Sequence, residues 1–236
     1  MAQSWNAGSP ENPAAAASGR SAPALAIRRA AIASALCLCV AALALPASAQ
    51  TADASLSDPL RRPGWNFGGD LFGGFTVRQL TSPNFLTANR NIADLALTAR
   101  ADRVLTHDHG PGFLRGTFQW GANVIPMEIF FVLGSHYAGG FEPVVLRWNF
   151  TANRNRVVPF AGVAGGLLLS PQNFPPGNTY QTNFTAAFDA GAHIFVRRHQ
   201  SFDITGRVFH LSNAYLGPSN PGIPVGLQFA VGYTWY

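Results

Sequence analysis

The most constraining feature of this chain is the strict two-residue alternation at its C-terminal end. From Ile223 the odd positions read Ile223, Val225, Leu227, Phe229, Val231, Tyr233 and Trp235, whereas the even positions read Pro224, Gly226, Gln228, Ala230, Gly232, Thr234 and Tyr236. A period of two is that of a β-strand, whose successive side chains point to opposite faces. One face here is large and apolar, and the other is small or polar. A strand of a water-soluble sandwich turns its large residues toward a core and charges the other face. Glycine, alanine and glutamine on the second face suit instead the tight interior of a small barrel whose large side chains face hydrocarbon.

The same pattern recurs in seven further segments, 65–79, 92–104, 113–124, 143–151, 157–169, 183–196 and 202–214. Leu95 and Leu97 oppose Asp94, Arg100 and Asp102, and Val144, Leu146, Trp148 and Phe150 oppose Arg147 and Asn149. Each segment has about the length that a tilted membrane strand requires. The expected fold is therefore all-β, an eight-stranded antiparallel transmembrane β-barrel, closed because an open sheet edge in lipid leaves backbone groups unpaired. Counting back from the C-terminus puts short turns at 152–156 and 197–201 on the periplasmic side and longer loops at 80–91, 125–142, 170–182 and 215–222 outside. Pro126 is expected to end the third strand, with Ile129 to Leu133 left open as a further strand or an extension. Eight strands enclose only enough space for side chains, which argues against a pore.

The first 49 residues differ from the rest. Arg28 and Arg29 precede an apolar run from Ala30 to Leu45, and Ala47-Ser48-Ala49 supplies the small residues of a cleavage site. The run is too short to span a bilayer comfortably, so residues 1–49 are expected to be a secretory signal peptide, 50–64 an N-terminal tail and 65–236 the barrel. Both cysteines, Cys37 and Cys39, fall in the leader, which excludes disulfides and thiolate metal sites from the exported part. The formal charge of +5 comes without a single lysine, from arginines scattered along the chain. A nucleic-acid reader would gather them on one face among exposed aromatics, so no nucleic-acid partner is expected.

Segment 202–214 carries the residues with chemistry in them. Its even face holds Phe202, Ile204, Gly206, Val208, His210, Ser212 and Ala214, and its odd face Asp203, Thr205, Arg207 and Asn213. Parity places His210 and Ser212 on the outer surface, two residues apart and near the extracellular end. Polar groups at membrane depth are costly and point to function. An imidazole beside a serine hydroxyl is able to act as general base and create an ester-cleaving nucleophile. The alternative is an interfacial histidine near lipid headgroups with a merely small neighbour. His107-Asp108-His109 lies in a Gly-Pro turn and has no third ligand nearby, so it reads as a solvated turn and no metal is expected. His193 has lumen parity and reads as a hydrogen-bonded interior residue.

The stretch Phe209-His210-Leu211-Ser212-Asn213-Ala214, followed by Asn220-Pro221-Gly222-Ile223 and an alternating terminal strand, resembles the lipid A 3-O-deacylase family in its broader acyloxyacyl-hydrolase-like branch. Looser likeness runs through Leu146-Arg147-Trp148-Asn149-Phe150, the glycine-rich strand from Pro159-Phe160 to Leu169, and Asn183-Phe184-Thr185. The resemblance implies a bacterial outer-membrane enzyme that removes an acyl chain from lipid A of lipopolysaccharide without a cofactor. In it His210 is the base and Ser212 the nucleophile, and Asn213 and Asn220 are candidates for polarising the ester carbonyl. Arg78 and Arg90, in the first external loop, are candidates for lipid A phosphates or ordinary loop and lumen charges. The terminal Tyr233-Thr234-Trp235-Tyr236 is similar to the signal read by the barrel-assembly machinery. One departure stands out, because the family's acidic triad member falls on Pro224. Asp203 has the opposite parity, and Glu128 and Glu142 are assigned to loops. The rival expectation is a noncatalytic outer-membrane barrel with a structural, lipid-binding or adhesive role.

Overall fold

Each alternating segment becomes a strand. In the computed structural model, which describes residues 55–77, 92–152, 156–177, 179–220 and 222–236, the strands are β1 (Gly64–Thr76), β2 (Ala93–Val104), β3 (Gly116–Phe131), β4 (Ser135–Phe150), β5 (Val157–Phe174), β6 (Tyr180–Arg197), β7 (Gln200–Ser212) and β8 (Ile223–Trp235). They pair antiparallel in chain order, and β1 meets β8 from Phe67↔Trp235 to Thr76↔Gly226, closing the barrel. The predicted signal peptide, Arg78 and Arg90 lie outside the described residues.

The predicted faces hold. Trp65, Phe67, Leu71, Leu95, Leu97, Val144, Phe188, Phe202, Val208, Phe229, Val231 and Trp235 are exposed on the outside. Asp70, Asp94, Arg100, Asp102, Arg147, Asp189, Asp203 and Arg207 are buried inside. That arrangement inverts a soluble protein, as hydrocarbon around the barrel demands.

Two expectations fail at the end of the barrel away from the chain termini. Residues 125–142 are not a loop, since β3 runs through Pro126 to Phe131 and β4 returns from Ser135 across only Val132–Gly134. Pro126 is tolerated because the register shifts between Ile125 and Glu128, leaving Pro126 and Met127 both exposed in a bulge that asks no ladder N–H of the proline. Glu128 and Glu142 are accordingly buried strand residues facing the lumen, not loop residues. Likewise β5 and β6 extend to Phe174 and from Tyr180, shortening the predicted loop at 170–182. At the opposite end Phe113 and Leu114 lie in a 3-10 turn, Gly112–Leu114, so β3 begins only at Gly116.

Arginines surrounded by carboxylates fill the lumen. Arg100 ion-pairs with Asp70 at 2.7 Å, Asp102 at 3.3 Å and Asp203 at 2.6 Å. Nearer the other end Arg207 donates to Asp189 at 2.7 Å and to Glu142 at 3.1 Å, and stacks 4.7 Å above the Phe72 ring. Buried charges are costly unless paired, and each of these has an opposite charge beside it. A gap of about 20 Å³ beside Phe72, Glu128 and Arg207 has room for about one water. Such an interior ties strands of the wall to one another.

The segment before β1 packs against the terminal end. A 3-10 turn, Asp58–Arg61, buries Leu60 against Val104, Val158 and Phe195. Arg61 holds it there, donating to Asp108 at 2.8 Å and to the Thr151 carbonyl at 2.8 Å. The expected N-terminal tail is thus docked from residue 55 onward.

Candidate active site

β7 and β8 build the site. On β7 the alternation that buries Phe209 and Leu211 turns His210 outward and leaves Ser212 partly exposed. Across the strand pair with β6, His210 faces Ala186 and Ser212 faces Phe184. The small Ala186 keeps space beside the imidazole, with Phe184 and Phe188 exposed on either side along β6. Among the described residues no hydrogen bond joins His210 to Ser212, and the His210 imidazole is bonded instead across to β8.

The ladder between β7 and β8 is irregular at this point. Phe209 pairs with Gly226 and Leu211 with Ile223, so His210 alone stands opposite both Pro224 and Val225. This is a β-bulge, a place where a strand tolerates proline and re-aims a side chain. The imidazole Nδ1–H of His210 donates to the Pro224 carbonyl oxygen at 3.1 Å.

The connection after β7 is tied by asparagines. Asn213 is buried, its Nδ2 donates to the Ser219 carbonyl at 2.8 Å, and its Oδ1 accepts from the Tyr215 N–H at 3.0 Å. Asn220 Oδ1 accepts from the Asn213 N–H at 2.9 Å. Because that backbone group donates only, the Asn220 amide orientation is fixed and its Nδ2 donors face away. Gly222 then enters β8 with φ +55°, where a Cβ would strike the Leu211 carbonyl. Only glycine adopts such a conformation freely.

Among the described residues no carboxylate reaches the imidazole. Asp70, Asp94, Asp102, Glu128, Glu142, Asp189 and Asp203 are buried on the lumen side, Asp58 pairs with Arg198, and Asp108 sits at the opposite end. The remaining two acidic residues of the sequence, Glu11 and Asp53, precede the described part of the chain. Asp203 is fully engaged, accepting from His193 Nδ1 at 2.8 Å, Ser201 at 2.7 Å, Thr234 at 2.5 Å and Arg100 at 2.6 Å. His193 is accordingly the interior hydrogen-bonded residue expected from its parity. Sequence reasoning missed the Pro224 carbonyl altogether. Its signal was a proline on an otherwise regular strand, which announces a bulge.

The His107-Asp108-His109 turn is an anchor. Asp108 receives the Thr151 hydroxyl at 2.5 Å, Arg61 at 2.8 Å and Arg115 at 3.0 Å. Burial works to raise its pKa, but the Thr151 and Arg115 hydrogen bonds and the two arginine charges outweigh it, holding the carboxyl below the usual aspartate range.

Comparison with solved structures finds the outer membrane enzyme PagL, at TM-score 0.50 and 14% identity, covering 72% of this chain and 99% of that one. Neisserial surface protein A is also similar, at TM-score 0.39 and 10% identity, covering 72% of this chain and 95% of that one. No curated protein matches. The family model described as lipid A 3-O-deacylase (PagL) matches residues 62–234, a span from the docked N-terminal segment to the final strand. That match, over most of a chain folded as a closed eight-stranded barrel, identifies the protein as a member of the lipid A 3-O-deacylase family of the bacterial outer membrane.

Proposed function

We propose that this protein hydrolyses an ester-linked acyl chain of lipid A, with Ser212 as nucleophile and His210 as general base. The observation that carries this reading is that the two side chains share the outward face of β7, at the end of the barrel away from the termini, with the imidazole tethered by one nitrogen. Depth supports it. His210 stands eight residues along β7 from Phe202 of the terminal-end aromatic cluster, about 20 Å along the barrel axis for a strand tilted near 40°. A lipid-facing band is about 25 Å tall, so His210 would meet the far interface, where acyl esters join sugar to hydrocarbon.

The chemistry balances without a cofactor. Ser212 Oγ attacks the acyl carbon while its proton passes to His210 Nε2. The tetrahedral intermediate then collapses as the sugar oxygen leaves with that proton. Water attacks the acyl-serine as one of its protons passes to Nε2, and the second tetrahedral intermediate collapses as that proton returns to Ser212 Oγ, releasing the fatty acid. Asn220 Nδ2 is suited to stabilise the oxyanion, whereas the Asn213 amide is committed to its turn. Arg78 and Arg90 remain proposed contacts for lipid A phosphates. A cleaved leader and insertion by the barrel-assembly machinery belong to the same reading. A noncatalytic barrel is the rival, favoured by the lack of a carboxylate beside the imidazole among the described residues. Mass spectrometry of lipid A from cells expressing the protein or Ser212→Ala decides between them. Loss of one acyl chain with the parent only is expected, and an unchanged pattern with a folded, surface-located parent overturns the enzyme.

A further inference from the structure

Consecutive carbonyls of a strand point to opposite neighbours. On β8 the Val225 carbonyl accepts from the Val77 N–H at 3.2 Å, toward the β1 side, so the Pro224 carbonyl points toward β7. In a regular ladder it would meet a backbone N–H. The bulge that sets His210 opposite both Pro224 and Val225 instead brings it to the imidazole Nδ1 at 3.1 Å. A carbonyl oxygen accepts and never donates, so the hydrogen of a neutral imidazole must sit on Nδ1 and leave Nε2 as the lone-pair nitrogen.

We infer that the main-chain carbonyl of Pro224 is the orienting group of this site, replacing a carboxylate with a neutral acceptor that selects the same imidazole tautomer. The inference rests on the proposed Ser212–His210 reaction for its purpose, but the geometry stands by itself. Position 224 is where the resemblance to the family calls for an acid, and among the described residues no side-chain carboxylate lies on the outer face of the barrel. What a triad acid does is hold the tautomer and ring orientation and stabilise the imidazolium. An amide placed there in serine proteases lowers kcat about 10⁴-fold by enforcing the wrong tautomer. A carbonyl avoids that penalty and forgoes only the charge assistance, since a hydrogen bond to an ionised acceptor is roughly twice as strong as a neutral one. Pro224 also suits the task because proline has no N–H to compete within the ladder, and its ring restricts the backbone that presents the oxygen.

Two measurements on the full barrel in detergent or bilayers test this. Nitrogen-15 NMR of His210, at a pH well above the ordinary imidazole range, should report the Nδ1–H tautomer, against the Nε2–H form that a free histidine side chain prefers. A predominant Nε2–H form overturns the inference whether or not the protein is active. With lipid A as substrate, Pro224→Glu should raise kcat about tenfold with KM unchanged, the gain expected from a charged acceptor. An active parent whose kcat is not raised by this change, with the Pro224→Glu barrel folded, also overturns it. A parent without deacylase activity instead removes the proposed reaction, and the NMR result then decides the role of the carbonyl alone.

Discussion

Arg100 and Asp203 meet across the lumen at 2.6 Å, joining β2 to β7, two strands that are not neighbours in the wall. Asp203 also accepts from His193, Ser201 and Thr234, so one carboxylate gathers three strands and an arginine. Replacing it by alanine takes the shared acceptor from His193, Ser201 and Thr234 and leaves Arg100 with only Asp70 and Asp102 as carboxylate partners. Asp203→Ala should lower the unfolding free energy by about 3–5 kcal/mol, measured by denaturant unfolding of the refolded barrel in bilayers. Asp203→Asn, which keeps an acceptor oxygen, should lose less. A change below about 1 kcal/mol for the alanine variant would show that this network adds nothing to the wall.

Asp108 gives a pH dependence at the terminal end, outside the membrane. Its carboxyl is held below the usual aspartate range, so it contributes stability above the unfolded-state value and loses it as the pH falls through the lower, folded-state value. Melting temperatures of the parent and Asp108→Asn should therefore differ at neutral pH and converge in acid. Parallel curves from neutral to acid pH would be incompatible with the anchoring role.

Asn220 separates turn-building from oxyanion binding. Asn220→Asp keeps the oxygen that accepts the Asn213 N–H at 2.9 Å and removes the Nδ2 donors. The barrel should fold with unchanged stability while kcat on lipid A falls about 100-fold, the usual cost of one oxyanion donor. Asn213→Ala should instead destabilise the connection after β7, because both ends of its amide are spent on backbone there.

Gly222 fixes where β8 begins. A methyl group at its φ of +55° meets the Leu211 carbonyl, on the residue between His210 and Ser212. Gly222→Ala should cost roughly 1 kcal/mol or more from the left-handed backbone alone. It should also lower kcat more than it raises KM, because the strand carrying the base must shift. Parent-like kinetics would show that the turn and the site are uncoupled.

The faces of the wall were legible because alternation leaves no choice: Phe202, Ile204 and Val208 could not point outward unless His210 did so too. Strand lengths were not legible where Pro126 interrupts β3, since proline in a sequence marks a break and only the partner strand shows that a bulge absorbs it. The site was half legible. His210 and Ser212 announce themselves by residue type and spacing, but a backbone carbonyl belongs to every residue, and only pairing register shows which one an imidazole meets. Asn213 and Asn220 look alike in sequence and differ in the structure because one is buried with its amide satisfied and the other keeps its amide nitrogen turned away.

All seven strand carboxylates point into the lumen, and this has a consequence for the wall's exterior. Carboxylates are natural ligands for divalent cations. Strands bearing none on their outer side offer no ligand there for such a cation and no negative charge to repel a phosphate.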